Sequence, residues 1–158
     1  MKLYVITVGH KPPAWITTGF QEYVRRMPRE LPVMLIEVKP AYRPGSSPAQ
    51  LANARTLEGE RILAAVPTNS VKVALDERGK SLSTTQLAHQ LETWMADGLN
   101  ICFLIGGADG LDDGVKKDAD VICSLSNLTL PHALVRVVLA EQLYRAISII
   151  RKHPYHRE

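Results

Sequence analysis

Apolar residues follow two different spacings along the chain, and the two spacings alternate. Short apolar or β-branched runs predict five buried strands, at residues 2–8, 33–38, 71–75, 101–105 and 121–125. Helical spacing predicts intervening helices at residues 14–27, 49–65, 84–96 and 132–151, with a short helix from about Asp112. Strands that are apolar on both faces and are joined by helices predict an α/β fold, with a mostly parallel sheet covered by helices on both faces.

Turn-forming residues mark the ends of these segments. Pro28 and Pro32 end the first helix. Ser83 is the expected N-cap of the helix predicted at residues 84–96. The sequence DERG at residues 76–79 predicts a turn after the third strand. Residues 39–48 predict a long, flexible, basic loop, because they include almost no bulky apolar side chains.

Length and composition fit one ordinary globular domain, residues 1–158. The 158 residues are 46% apolar and 22% charged, which is enough apolar material for one core. The formal net charge of +3 permits a polyanionic partner without requiring one. Composition therefore leaves an enzyme and a binding module equally open.

Membrane and metal-binding classes are disfavoured. The N-terminus has no signal-peptide pattern and no run of 18 uncharged apolar residues occurs, so we expect a cytoplasmic protein without a membrane span. Cys102 and Cys123 lie in apolar runs and form no CxxC pattern, which favours reduced, buried side chains. His153 and His156 are three residues apart but have no second ligand cluster, so no metal site is expected.

A glycine-rich turn, IGGADG at residues 105–110, follows the fourth predicted strand. Glycines at the C-terminal end of a parallel strand let a ligand approach the backbone closely. The spacing is neither GxGxxG nor that of a P-loop. The turn alone therefore fits either a ligand site or a tight turn that needs a positive φ.

A second loop at a strand end, SNLTLP at residues 126–131, precedes the last predicted helix. Thr129 and Ser126 are candidates to cap that helix, and Pro131 suits its first turn. Backbone polar groups beside the apolar Leu128 and Leu130 suit an adenine ring, which needs edge hydrogen bonds and flat apolar walls. A plain capped connection explains the same residues.

The last predicted helix is apolar on more than one side. Val137 and Ile149 fall outside its main apolar stripe, so more than the sheet of one subunit should bury the helix. A homodimer is the simplest explanation, with Leu139 and Leu143 expected in the interface.

The chain ends on a cluster of protonatable and cationic side chains: His153, Tyr155, His156 and Arg157. Histidine changes charge near neutral pH, tyrosine offers a stacking face, and arginine is a fixed cation. The combination fits recognition of a nucleic-acid phosphate or a flipped base, and a tail that packs on its own subunit is the alternative. Arg145 pairs with Glu141 at i,i+4 spacing, so it is structural, anion-binding or both.

Four segments in this order carry a family resemblance: LD at 75–76, FLIGGADG at 103–110, SLSNLTLPHALVR at 124–136 and AEQLYRAISIIRKHPYHRE at 140–158. The opening KLYVITVG and the segment GFQEYVRRM match as well. Along its whole length the chain resembles the ribosomal RNA large subunit methyltransferase H family of small SPOUT-class enzymes.

The resemblance implies a trefoil-knotted α/β homodimer. It implies that the enzyme uses S-adenosylmethionine to methylate N3 of a pseudouridine in large-subunit (23S) ribosomal RNA, within the ribosome or its large subunit. Matched by position, the implied cofactor site consists of Leu75, Gly107, Ser126, Asn127, Leu128, Thr129, Leu130 and Pro131. The implied catalytic residues are Arg145, His153, Tyr155, His156 and Arg157.

Methylation at N3 requires the loss of an imide proton, and negative charge then develops on the flanking carbonyl oxygens. His156 is the first candidate to take that proton and His132 the second. The basic residues from Lys39 to Arg43 are candidates for phosphate contact. Two alternatives stay open: a non-catalytic nucleotide- or RNA-binding homodimer, and a Rossmann-type methyltransferase, whose glycine loop should follow the first strand.

Overall fold

One five-stranded sheet organises the part of the chain that the computed structural model describes, residues 1–9 and 11–156. The strands are β1 (Leu3–Val8), β2 (Val33–Val38), β3 (Ser70–Ser81), β4 (Asn100–Ile105) and β5 (Val121–Ser124). The helices are α1 (Ala14–Val24), α2 (Pro48–Ala65), α3 (Thr84–Ala96), α4 (Asp113–Asp118) and α5 (His132–Ile150).

The sheet has the strand order β2-β1-β4-β3-β5, and every pairing in it is parallel. This confirms the predicted α/β class. Because all five strands run the same way, their C-terminal ends lie on one edge, where open α/β sheets bind ligands. The glycine-rich turn follows β4, unlike the glycine loop of a Rossmann-type methyltransferase. The trefoil knot stays a prediction from the resemblance.

Two apolar cores cover the two faces of the sheet. Alternate residues of β4 show the division: Ile101, Phe103 and Ile105 belong to the core with α1, α3 and α5, whereas Cys102 and Leu104 belong to the core with α2 and α4. Both cysteines are free and buried, as predicted. The near-continuous apolar composition of β1 and β4 follows from this double coverage.

Capping residues fix where two helices begin. Ser47 and Ser83 each accept a hydrogen bond from the backbone three residues later, and Gln50 and Gln86 complete the two capping boxes. The prediction for Ser83 is thus confirmed. The first helix ends at Val24, three residues earlier than predicted, and residues 25–27 form a turn.

The prediction that residues 76–79 form a turn that ends the third strand is wrong. Strand β3 continues to Ser81, and the four residues form an irregularity in its pairing with β5, where Cys123 pairs with both Leu75 and Lys80. Gly79 permits this, since a Cβ there would lie 2.8 Å from backbone atoms of Cys123. The turn-like composition therefore marks a bulge at the edge of the sheet.

Helix α5 is covered by its own subunit more completely than the sequence predicted. Leu139 and Leu143 are fully buried in the core with α1 and α3, so the prediction that they form a dimer interface is wrong. Val137 and Ile149 pack against the same core. Helices α1 and α3 supply this coverage, since both pack along α5. The partly exposed apolar residues of α5 outside that core include Leu134 and Val138.

Candidate functional site

A cavity of about 680 Å³ opens at the C-terminal ends of β3, β4 and β5. Its volume lies within the range that small-molecule sites usually have. The glycine-rich turn after β4 forms one wall, and the loop after β5 forms another. The first turn of α5 closes the cavity with His132 and Val135.

Seven of the eight residues expected at a cofactor site line this cavity: Leu75, Gly107, Ser126, Leu128, Thr129, Leu130 and Pro131. Asn127 is not among the lining residues. Its side-chain oxygen Oδ1 accepts a hydrogen bond from the Ser81 hydroxyl at 3.2 Å, which ties the loop to the end of β3. The structure therefore brings together two strand-end loops that are about 20 residues apart in sequence.

Local hydrogen bonds shape the loop at residues 124–131. The Ser124 hydroxyl donates to the Ser126 carbonyl at 2.8 Å, and the Ser126 hydroxyl oxygen accepts from the Leu128 backbone N–H at 2.9 Å. Leu128 is left 76% exposed, an unusual position for a large apolar side chain unless something covers it. The loop thus exposes the apolar side chain of Leu128 on a backbone that local hydrogen bonds hold in place.

The predicted capping of α5 is wrong. Pro131 is the N-cap residue rather than a residue of the first turn, and no side chain caps this helix. The Thr129 hydroxyl instead donates to Glu77 Oε2 at 3.0 Å. Glu77 belongs to the irregular part of β3, so this bond holds two cavity walls together.

Charged residues that the sequence analysis overlooked also line the cavity. Asp76 and Lys116 form an ion pair with a 2.7 Å separation between Oδ2 and Nζ. Burial by itself raises the pKa of the Asp76 carboxyl, but the hydrogen bonds from Lys116 and from the Arg78 backbone outweigh it, so this pKa lies below its ordinary value. The sequence did hold a signal for these charged residues, because the polar segment 76–79 directly follows the buried part of the third strand.

Gly107 lines the cavity, and the direction in which its side chain would point shows how a substitution there would act. A Cβ on Gly107 would point at Val8 and Glu58, at contact distances of 3.5 and 3.6 Å. The missing side chain therefore faces the protein interior rather than a ligand. Ala108, the next residue, is exposed and lines the cavity, so its side chain is the better probe of this wall.

A buried carboxylate connects the glycine-rich turn to the basic loop at residues 39–48. Glu58 of α2 is 2% exposed and accepts hydrogen bonds from the Ala41 backbone N–H at 3.1 Å and from both terminal nitrogens of Arg43. The Nε of Arg43 donates to Asp109 in the turn at 2.8 Å. The hydrogen bond with Glu58 is the main cause that raises the pKa of the Arg43 guanidinium. Arg43 is thus engaged internally, which leaves Lys39 as the exposed cation of the segment predicted to contact phosphate.

The C-terminal tail folds back onto α5. Lys152 adopts a positive φ of 57° and reverses the chain. The ring of Tyr155 then packs on Tyr144, with ring centroids 4.5 Å apart, and the guanidinium carbon of Arg145 lies 4.9 Å from the same ring. Glu141 Oε1 accepts from the Tyr155 hydroxyl at 3.2 Å and from Arg145 at 2.7 Å.

The Tyr155 hydroxyl is held as a neutral hydrogen-bond donor. Burial, followed by the negative charge of Glu141, raises the pKa of this hydroxyl above its ordinary value of 10.0. The Tyr155 backbone N–H also donates to Nδ1 of His153 at 3.2 Å. Sequence reasoning treated Glu141 only as a partner of Arg145, whereas it also accepts a hydrogen bond from Tyr155 of the tail.

Tail and cavity lie apart within one subunit. The tail contacts Glu141, Tyr144 and Arg145, about two to three helical turns beyond the residues of α5 that close the cavity. Residues 153–156 do not line the cavity, and neither does Arg145. Arg157 lies outside the described residues. Within the described residues, one subunit therefore brings together the predicted cofactor residues other than Asn127, and separately the predicted catalytic residues Arg145, His153 and Tyr155, but not the two groups.

Neither a metal cluster nor a membrane helix is found in the portion of the chain that the structure describes. Within residues 1–9 and 11–156, His, Cys, Asp and Glu form no group of three or more that could hold a metal ion. No helix among those residues is long and apolar enough to cross a membrane. Burial raises the pKa of the Cys123 thiol to about 11, so this cysteine is a packing residue at neutral pH.

Comparisons with known proteins agree with this geometry. A family model described as a predicted SPOUT methyltransferase matches residues 1–156. A protein of Thiobacillus denitrificans named ribosomal RNA large subunit methyltransferase H is 57% identical over 158 residues, which is 100% of both chains. Proteins of the same name from Paraburkholderia phymatum and Nitrosospira multiformis are each 55% identical, over 99% of this chain and of their own.

Proposed function

The chain belongs to the SPOUT methyltransferase family, and on that premise we propose that it transfers a methyl group from S-adenosylmethionine to ribosomal RNA of the large subunit. The names of its full-length relatives support this substrate. We further propose that the acceptor is N3 of a pseudouridine in 23S rRNA, as the resemblance of the C-terminal segments implies. The observation that carries the proposal is the cavity formed by two strand-end loops at the ligand-binding edge of the sheet.

The cavity residues suit the methyl donor. S-adenosylmethionine supplies an electrophilic methyl group on a positively charged sulfur, beside an ammonium group and an adenine ring. Glu77, Asp112 and Asp113 line the cavity with carboxylates that can complement the two positive charges, whereas Asp76 and Asp109 are already paired with Lys116 and Arg43. The cations Arg55 and Arg78 also line the cavity and suit the carboxylate of the donor. Leu128, Leu130 and Val135 provide apolar walls for the ring. Asn127 would act by bracing the loop through Ser81.

The tail residues suit the acceptor. N3 must lose its proton as it attacks, and a neutral His156 imidazole nitrogen is the proposed acceptor of that proton, with His132 at the cavity as the second candidate. Arg145 and Arg157 would stabilise the charge that develops on the flanking carbonyl oxygens. Tyr155 and His153 would bound the target base, since the Tyr155 ring is already held against Tyr144 and Arg145.

A homodimer is needed to unite the two groups of residues. Since the tail lies on α5 away from the cavity of its own subunit, we propose that it reaches the cavity of a partner subunit. The partly exposed Leu134 and Val138 of α5 lie outside the two packed cores and form the proposed centre of contact. The cytoplasm is the proposed location.

A binding experiment separates this function from a non-catalytic nucleotide- or RNA-binding homodimer. In calorimetric titrations S-adenosylmethionine should bind, whereas ATP and NAD should not. Labelled S-adenosylmethionine is then incubated with the protein and each ribosomal particle, and transfer of the label to rRNA supports the enzyme. Binding of ATP or NAD in place of the methyl donor, with no transfer to any particle, would favour the non-catalytic alternative.

A further inference from the structure

Tyr42 is the most exposed large side chain among the described apolar and aromatic residues, with 85% of its surface accessible. It lies in the loop between β2 and α2, immediately before Arg43. A single exposed ring is common on protein surfaces, so the case for a role rests on the residues around it. The proposed function has so far given this residue no role.

The backbone that carries Tyr42 is held firmly on both sides. The Ala41 N–H donates to the buried Glu58 at 3.1 Å. The Arg43 side chain donates to Glu58, to the Ala41 carbonyl at 3.1 Å and to Asp109 at 2.8 Å. The backbone that carries the ring is therefore held in place, which reduces the entropy lost when the loop binds a partner.

A shallow concavity of about 560 Å³ adjoins the ring. Residues 39–43, Leu57 and Arg61 line it, and we refer to these residues as the Tyr42 surface. Two carboxylates, Glu58 and Asp109, hold Arg43 in ion pairs, so the cations that this surface offers to a ligand are Lys39 and Arg61. Arg61 also donates to the Lys39 carbonyl at 2.7 Å, which holds the Arg61 guanidinium beside the backbone of Lys39.

An exposed aromatic ring beside two cations is the arrangement that binds an unpaired nucleotide, by stacking on the base and contacting the phosphate. We propose that the Tyr42 surface binds an unpaired nucleotide of the RNA substrate. This inference rests on the proposed function. Through Arg43 and Asp109 the surface is connected to the glycine-rich turn that forms a wall of the donor cavity, so a nucleotide bound there is held at a fixed distance from the methyl donor.

Steady-state methyl transfer to the natural ribosomal particle tests the surface. Tyr42→Ala should raise the KM for the particle roughly 10-fold, the effect of one lost stacking contact, with kcat and the affinity for S-adenosylmethionine unchanged. Tyr42→Phe retains the ring and should behave like the wild type. Lys39→Glu should also raise this KM and flatten its salt dependence. Arg29→Glu is the matched control, because Arg29 is an exposed cation before β2, at the opposite end of the sheet from this loop.

Three results would overturn the inference. The first is that Tyr42→Ala leaves the KM for the particle unchanged. The second is that Arg29→Glu raises this KM as much as Lys39→Glu does. The third is a weaker affinity of Tyr42→Ala for S-adenosylmethionine, since the residue would then act through the cavity wall. If the wild-type protein methylates no particle at all, the proposed function fails instead, which is a separate outcome.

A cross-linking experiment identifies the partner directly. A photoreactive phenylalanine analogue placed at position 42 is incubated with the ribosomal particle and irradiated. A cross-link to an rRNA nucleotide supports the inference, whereas a cross-link to a ribosomal protein alone contradicts it. Thermal unfolding of each variant confirms that its fold is retained.

Discussion

The surroundings of an ion pair decide how much it contributes to stability, and the pair of Asp76 and Lys116 is the sheltered example in this protein. Asp76 is 14% exposed in its side chain, lines the proposed donor cavity and accepts a second hydrogen bond from the Arg78 backbone. Asp118 and Lys72 form a pair of nearly equal length, 2.8 Å, but the Asp118 side chain is 51% exposed. The two pairs are therefore a natural comparison between a sheltered and a solvated contact.

Asp76→Asn should lower the free energy of unfolding by about 1–3 kcal/mol at pH 7, because it leaves Lys116 without its charge-assisted partner. Asp118→Asn should change it by less than about 1 kcal/mol. Since folding lowers the pKa of Asp76, its contribution is complete above the unfolded pKa near 3.8 and is lost as the pH falls through the lower folded pKa. Urea unfolding at pH 7, 5 and 3 measures this: equal losses for the two variants at pH 7 would contradict the account.

Ala108 is the residue at which the donor cavity is most easily blocked without disturbing the core. It is exposed on the glycine-rich turn, and a longer side chain there would enter the cavity. Ala108→Arg should abolish binding of S-adenosylmethionine, because it both fills space and adds a positive charge near the sulfonium. Ala108→Ser adds only one atom and should bind nearly as well as the wild type. Calorimetry that finds the arginine variant binding normally would place the donor elsewhere.

At the scale of whole elements, the bulge in β3 is what gives the cavity its third wall. Its four residues occupy space beside Cys123, and Gly79 makes the approach to the β5 backbone possible. Gly79→Ala should destabilise the protein by about 1–3 kcal/mol, because a Cβ 2.8 Å from three backbone atoms forces the two strands apart.

Gly19→Ala is the matched control for that prediction. A Cβ on Gly19 would make an ordinary 3.4 Å contact with Val137, and alanine favours the helix in which Gly19 lies. The control should therefore be neutral or slightly stabilising in thermal unfolding. If Gly79→Ala is equally harmless, the close pairing of β3 and β5 is not a requirement of the fold.

The elements themselves were predictable from the sequence, because apolar spacing differs between buried strands and helices. The loops 105–110 and 126–131 were predictable as a shared site, since parallel strands end on one edge. The continuation of β3 was missed because DERG has turn composition and only the approach of Cys123 reveals a bulge. The coverage of α5 was missed because sequence periodicity shows an apolar face without showing that α1 and α3 pack on it.

At the scale of the whole molecule, each complete site of the proposed enzyme needs two subunits. A mixture of two inactive proteins tests this: Ala108→Arg, which has an intact tail, and a variant truncated before His153, which has an intact cavity. After random exchange, the mixed dimers should restore about a quarter of the wild-type rate, because half the dimers each gain one complete site. No recovery would mean that tail and cavity of the same subunit act together.

Val138→Glu provides the complementary test of the dimer. Val138 lies outside the packed cores, so a charge there should separate the subunits while leaving each one folded. Light scattering should show a monomer that still unfolds cooperatively, and methyl transfer should be lost. A monomeric wild-type protein with full activity would contradict the two-subunit site.

The most direct test of the central claim is to locate the transferred methyl group. Large subunits and whole ribosomes are incubated with the protein and labelled S-adenosylmethionine, and the modified nucleotide is mapped by reverse transcription, which a methyl group on N3 stops. We expect label at a single pseudouridine of 23S rRNA with the wild-type protein and none with the variant truncated before His153. Label at a different atom or in a different RNA, or full labelling by the truncated variant, would contradict it.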